Sequence, residues 1–265
     1  MTTAVAPPLH LWLEITGRCQ LECVHCYADS SPVGTHGTMT AADWCRVIDE
    51  AAEMGVRTVQ FIGGEPTLHA DLTELINHAL SRALAVEVFT NLVHVTDKLW
   101  DTFAQPGVSL ATSYYSDDPE EHAAITGRPS HPRTKANIEE AARRGIPLRA
   151  GVIDLGEGQR TEQAHDELVA LGVPKIGYDR LRQVGRGVRD QHESAAQLCG
   201  QCGDGVAAVG PDGSVTPCIM ARWQRVGSVH DTPLGEIGAA LPAARAALTE
   251  QGCRWPPACA AGRTG

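Results

Sequence analysis

No run of about 18 apolar residues, the length a membrane-spanning helix requires, occurs anywhere in this 265-residue chain. The opening MTTAVAPPLH has neither the basic region nor the apolar core of a secretory signal. Basic residues are the minority: 22 Lys and Arg against 32 Asp and Glu leave a formal charge of −10. Such a surface would not neutralise a phosphate backbone, so DNA and RNA are discounted as partners. No sequence repeat and no low-complexity segment is present. These absences point to a cytoplasmic protein, with no membrane partner. Cysteine, by contrast, is plentiful. Nine thiols, an odd number, suit metal ligation in a reducing compartment better than a fully paired disulfide framework.

The length allows one large α/β domain, or a barrel-like domain with a small appendage. LHLWLEI (9–15) reads as a buried strand, and the following helix takes Thr40 as its N-cap and Gly55 as its stop. The same unit recurs, with strands at 56–62, 86–90, 108–113 and 147–153, helical segments at 71–83, 96–104, 117–145 and 160–171, and a sixth strand at 174–180. This alternation predicts an α/β fold with parallel strands, a partial (β/α)6 barrel short of the eightfold closed form. Past Arg180 the pattern changes. GVAAVGPDGSVTPC (205–218) reads as a β-hairpin turning at Pro211-Asp212-Gly213. The expected division is therefore a partial barrel over 1–190 and a small Cys-rich region over 191–265, holding five of the nine cysteines.

Cys19, Cys23 and Cys26 have the spacing C-x3-C-x2-C, in a loop leaving the C-terminal end of the first strand, where barrel-like α/β proteins place their chemistry. Two cysteines close a disulfide and four close a zinc site, whereas three leave a soft-metal site one ligand short. Positions i, i+4 and i+7 also form one face of a helix. The polar residues Arg18, Gln20, Glu22 and His25 between them, and the Thr16-Gly17 turn signal before them, argue against such a helix.

Followed by the aromatic Tyr27, this spacing resembles the signature of the radical S-adenosylmethionine (SAM) superfamily. The resemblance implies that the three cysteines bind three irons of a [4Fe–4S] cluster and that SAM chelates the fourth. An external one-electron reductant, such as a flavodoxin or ferredoxin, would reduce the cluster. One electron then enters the sulfonium, and C–S cleavage yields methionine and a 5′-deoxyadenosyl radical that abstracts a substrate hydrogen. FIGGEP (61–66) supports the same family: Gly63 and Gly64 allow close backbone approach, Glu65 can accept from the SAM ammonium, and Pro66 completes the motif. A plain Gly-Gly turn into a helix is the alternative for the glycines alone. FTNL (89–92) resembles the family's third-strand Thr-Asn, which adds Thr90 and Asn91 to the cofactor set. TSYYSDDPEEHAAITGR (112–128) resembles the fourth-strand segment but carries Tyr114-Tyr115-Ser116-Asp117 where Ser-Leu-Asp-Gly is usual. Thr112, Ser113 and Ser116 are the candidates there for ribose contacts.

The stretch from Cys202 through Gly213 to Cys218 resembles the opening of SPASM and twitch domains, which carry auxiliary [4Fe–4S] clusters. A complete SPASM domain needs more cysteines than are present here, so one auxiliary cluster is the ceiling. Cys199, Cys202 and Cys218 are its expected ligands, with Cys253 or Cys259 as the fourth; four thiolates would also suit zinc. The fifth thiol is a bystander or, near the active site, a hydrogen donor for epimerisation. Cys45, in a predicted helix, reads as a small apolar residue. Arg180, Arg182, Arg186 and Arg189 could hold the SAM carboxylate or an anionic substrate, or form a solvated linker.

Enzymes of this kind mostly modify peptides, including natural-product precursors, and some oxidise or epimerise small aminocyclitols and sugars. Peptide modification is the expected activity. Peptide-modifying members often carry an N-terminal leader-binding domain, and the first strand here starts near residue 9; this weakens the peptide reading while leaving room for a separately encoded leader-binding protein as partner. The contrasting alternative is a non-enzymatic iron–sulfur or zinc binding module, for which an open cluster beside a GGEP segment has no use.

Overall fold

The computed structural model describes residues 9–156, 158–189, 192 and 194–254. Six strands, β1 (His10–Glu14), β2 (Thr58–Ile62), β3 (Ala85–Phe89), β4 (Val108–Tyr114), β5 (Leu148–Asp154) and β6 (Lys175–Arg180), pair in parallel with their chain neighbours. Between them run α1 (Ala41–Glu53), α2 (Leu72–Ser81), α3 (Asp97–Phe103), α4 (Pro119–Thr126), α5 (His131–Arg143) and α6 (Thr161–Ala170). The expected β-then-α alternation is present. The segment expected to be helical over 117–145 is two helices, because Gly127 ends α4 in the left-handed region at φ 72°. Thr40 caps α1 through a capping box with Asp43, and Gly55 follows the helix at φ 84°.

One face of the sheet forms the core with the helices. Leu11, Leu13, Ile15, Val59, Phe61, Val86 and Val88 pack in one buried cluster with Trp44, Val47, Ile48, Leu72, Leu75 and Phe103. Each such side chain fully buried adds about 1.5–3 kcal/mol. In-register Trp12, Gln60 and Glu87 alternate with these core residues and so lie on the other face. There Arg149 donates to both Glu87 oxygens at 2.7 and 2.8 Å. Burial opposes the Glu87 charge, but these bonds and the guanidinium outweigh it and hold the carboxyl below its usual range.

The C-terminal region adds β7 (Val206–Val209), β8 (Ser214–Thr216), β9 (Gly227–Ser228), α7 (Leu234–Gly238) and α8 (Leu241–Glu250). The β7–β8 hairpin turns at the expected residues, with Gly213 at φ 77°. Its placement is the departure from expectation: β7 runs parallel to β1, so one nine-stranded sheet passes without a break from β6 through β1 to β9. The hairpin turn also docks on the start of α1, where Thr38 N–H donates to the Pro211 carbonyl at 2.9 Å.

Candidate functional site

Four consecutive parallel strands deliver the candidate residues to their carboxyl ends: the cysteine loop follows β1, Gly63–Pro66 follow β2, Thr90 and Asn91 follow β3, and Tyr114 closes β4. The glycines are needed for packing within the chain. A Cβ on Gly63 would stand 2.4 Å from the Thr16 carbonyl oxygen, and one on Gly64 would stand 2.3 Å from that of Arg18. The Gly64 N–H donates to Thr16 O at 2.7 Å and the Glu65 N–H to Arg18 O at 2.8 Å, so the β2 loop lies directly against the start of the cysteine loop.

Glu65 is fully buried and joins three segments. Its Oε1 accepts from Thr67 N–H (3.0 Å), the Thr67 hydroxyl (2.8 Å) and the Thr90 hydroxyl (2.7 Å), and its Oε2 accepts from Asn91 N–H (2.8 Å). Only Oε2 keeps a lone pair for a further donor. Pro66 is buried at the first position of a short 3-10 turn over Pro66–Leu68. Thr90 is buried and bonded to Glu65, whereas Asn91 is half-buried beside Cys19.

Cys19, Cys23 and Cys26 lie in a loop without helix, as the polar residues between them predicted. The three thiols stand within electrostatic reach of one another. Burial pushes the Cys19 thiol up to about 12, with the Glu65 carboxylate adding to the effect. Burial likewise pushes Cys23 up to about 12, with Cys26 adding, while the Arg186 charge and the Tyr115 hydroxyl pull the other way. Buried thiols of this kind keep their protons at neutral pH unless a cation displaces them, which is how metal uptake is coupled to proton release. Hydrogen-bond donors suited to bound thiolate are in place: Leu21 N–H lies 3.4 Å and Asn91 Nδ2 3.6 Å from Cys19 Sγ. This donor set fits a soft-metal centre with an open position. Among the described residues no three His, Cys, Asp or Glu side chains crowd around a single ion position. Ligands to separate irons of one cluster stand farther apart than that.

Arg186 straps the loop from outside, donating from Nε to Cys23 O at 3.0 Å and from Nη2 to Ser30 O at 2.5 Å. Arg182 bonds Asp179 and the Gln197 carbonyl, and Arg189 the Leu155 carbonyl. The structure thus gives these three arginines internal partners. Tyr27 turns its hydroxyl inward, buried without a hydrogen-bond partner, within electrostatic reach of Glu14, Arg222, Cys26 and Cys218. Of the ribose candidates, Thr112 and Ser116 are buried and Ser113 is half-buried; the Ser116 hydroxyl accepts from Asp118 N–H at 3.0 Å.

Tyr115, one of the residues that break the usual fourth-strand pattern, packs edge-on against His25 (4.9 Å) and His122 (5.5 Å). Sequence reasoning missed two features. Burial, with Arg186 and Arg189 nearby, pulls His25 down to about 4, so its ring is neutral. Glu14, at the end of β1, is buried and pairs with Arg222 beyond the hairpin. The Tyr-Tyr departure was visible as a signal; the arginine pairings, across 160 residues or more, were not.

The C-terminal thiols form a second group. Cys202, Cys218 and Cys253 are buried together with Leu198, Ala221 and Leu248. Cys199, half-buried, lies within electrostatic reach of Cys202. A hydrogen bond between the two thiols keeps the proton on Cys202 and holds Cys218 low against the opposing effect of its burial. Cys259 lies outside the described residues. Cys45 is half-buried on α1 against the core. No helix among the described residues is long and apolar enough to cross a membrane.

The family model of the radical SAM superfamily matches residues 13–169. The chain is 30% identical over 200 residues to a PqqA peptide cyclase of Streptomyces rochei, covering 74% of this chain and 55% of that protein. It is 30% identical over 273 residues to the PqqA peptide cyclase of Xanthomonas axonopodis pv. citri, covering 94% of this chain and 71% of that protein. It spans about half the length of the first curated relatives it matches. Its fold is similar to that of Streptococcus suis SuiB bound to the precursor peptide SuiA, with a TM-score of 0.75 at 15% identity over 89% of this chain and 65% of that one. With the cysteine loop and the GGEP segment meeting at adjacent strand ends, this chain belongs to the radical SAM superfamily and is an enzyme of that family.

Proposed function

We propose that this chain modifies a peptide by radical SAM chemistry, and the observation that carries the reading is the set of Cys19, Cys23 and Cys26 gathered in one loop against the Gly63–Glu65 backbone. These cysteines are assigned to a [4Fe–4S] cluster with SAM at its open position, and when bound the pair supplies a one-electron cleavage that ends in removal of a substrate hydrogen. The chain's own residues prepare the place. Arg186 fixes the loop carbonyls, Glu65 locks the ends of β2 and β3 together, and Tyr115, packed on the His25 ring, lends its hydroxyl to Cys23. Gly63, Gly64, Glu65, Pro66, Thr90, Asn91, Ser113, Thr112, Ser116 and Tyr27 are assigned to the SAM pocket.

Cys199, Cys202, Cys218 and Cys253 are assigned to one auxiliary cluster in the 191–265 region, since the last three are buried together and Cys199 lies within electrostatic reach of Cys202. A peptide substrate is favoured by the likeness to PqqA peptide cyclases. A flavodoxin or ferredoxin as reductant, a separate leader-binding protein and a cytoplasmic location complete the reading.

The test is anaerobic reconstitution followed by SAM and dithionite. The wild type should form 5′-deoxyadenosine, more of it with a synthetic peptide pool than with aminocyclitols, and a Cys19/Cys23/Cys26→Ala variant should form none. Wild-type protein that carries iron and sulfide but makes no 5′-deoxyadenosine would leave a binding module instead. Stimulation by aminocyclitols alone would turn the reading to a small-molecule enzyme.

A further inference from the structure

Asn91 has a side chain whose every polar atom is committed. Its Oδ1 accepts from Gln20 Nε2 at 3.1 Å and from Val93 N–H at 2.9 Å. An atom that accepts two N–H groups must be the oxygen, so the amide cannot be flipped, and Nδ2 faces the other way. One Nδ2 hydrogen meets Gln20 Oε1 at 3.4 Å, closing a reciprocal amide pair, and the other is left for Cys19 Sγ at 3.6 Å. The backbone of residue 91 is pinned independently: its N–H donates to Glu65 Oε2 at 2.8 Å, and its carbonyl accepts from the Thr134 hydroxyl at 3.0 Å. Leu92, next along, sits at φ 56°, a left-handed conformation seldom adopted by a branched residue and one that turns the chain at this point. The fold thus holds a side-chain N–H donor on one particular sulfur, which also receives the main-chain Leu21 N–H.

We infer that Asn91, clamped by Gln20, is a positioning residue that sets the reduction potential of the cluster held by Cys19, by donating a hydrogen bond to that cysteine's sulfur. Reduction adds negative charge that is shared by the sulfurs, and a donor aimed at a sulfur stabilises the reduced form more than the oxidised one. Removing the donor therefore lowers the potential. The inference rests on the iron–sulfur assignment above and adds to it a role for a residue that the family resemblance placed only among SAM contacts.

The experiment is an EPR-monitored redox titration of the reconstituted protein without SAM, following the signal that is absent from the Cys19/Cys23/Cys26→Ala variant. Asn91→Ala removes the side-chain donor and leaves both main-chain contacts of residue 91. It should lower the reduced-to-oxidised ratio at a fixed potential about tenfold, equal to about 59 mV for a one-electron couple. Gln20→Met leaves Asn91 in place but frees its amide, and should give a smaller shift of the same sign. An Asn91→Ala midpoint equal to the wild type's, at equal iron and sulfide content, overturns the inference. Should Asn91→Ala not retain iron, Gln20→Met carries the test, and a midpoint matching the wild type's overturns it. A wild type with no such signal would instead overturn the cluster assignment itself, a separate outcome.

Discussion

At the scale of single residues, Glu65 and His122 show how burial is made tolerable in two ways. The Glu65 carboxylate accepts four hydrogen bonds in a site with no solvent. In Glu65→Gln, an amide group that donates must face at least one of those donors, so about 1–3 kcal/mol of stability should be lost, measurable by urea unfolding of the apo protein. The family pattern presents this glutamate as a SAM contact. The structure adds that it ties Thr67, Thr90 and Asn91 together, a role that no local pattern announces because two of these partners sit 25 and 26 residues away. His122 is buried among the rings of Tyr114, Tyr115 and His131, and burial, with His131 adding, pulls it down to about 4. Its folded pKa lies below the unfolded value of about 6.5, so the unfolded chain binds the extra proton first. Stability is lost as pH falls from about 6.5 towards 4. His122→Gln should make the fall in the urea midpoint between pH 7 and pH 4.5 shallower than in the wild type; an unchanged slope would mean that His122 does not titrate in this window.

At the scale of elements, the close approach of the β2 loop to the cysteine loop is set by Gly64. A methyl group there meets the Arg18 carbonyl oxygen at 2.3 Å, backbone that cannot swing aside. Gly64→Ala should cost about 1–3 kcal/mol by overpacking and lower iron uptake relative to the wild type, read as a drop in thermal midpoint and in iron per chain. This contact was legible in part. The Gly-Gly pair pointed to a close approach, and the structure shows that the approaching partner is the chain's own backbone. The six parallel strands and the helices between them were legible because their periodicity is local: apolar strands, a threonine cap on α1 and glycine stops each act within a few residues. The split of the 117–145 segment was missed for an equally local reason, since Gly127 and Pro129 follow the apolar residues of α4 without a break in polarity.

At the scale of the molecule, the pairing of β7 with β1 was not legible. Nothing in VAAV or in LHLWLE specifies a partner some 195 residues distant. Yet this pairing makes β1 an interior strand, and the burial of Leu11 and Leu13 goes with it. A chain ending at Arg189 should therefore expose the β1 edge and aggregate, seen as loss from the full-length protein's elution peak in size-exclusion chromatography. Cys202→Ser together with Cys218→Ser, which leaves β7 intact, should keep the full-length protein's elution volume while lowering its iron content.

The same strand pairing has a mechanical consequence. Both thiol groups are anchored to neighbouring rails of a single sheet, the first just past β1 and the second on either side of β7 and β8. The tail cannot swing as a lid without unzipping those rails. With clusters in both groups, as proposed above, a span fixed in this way would hold their separation constant whether or not a substrate is docked.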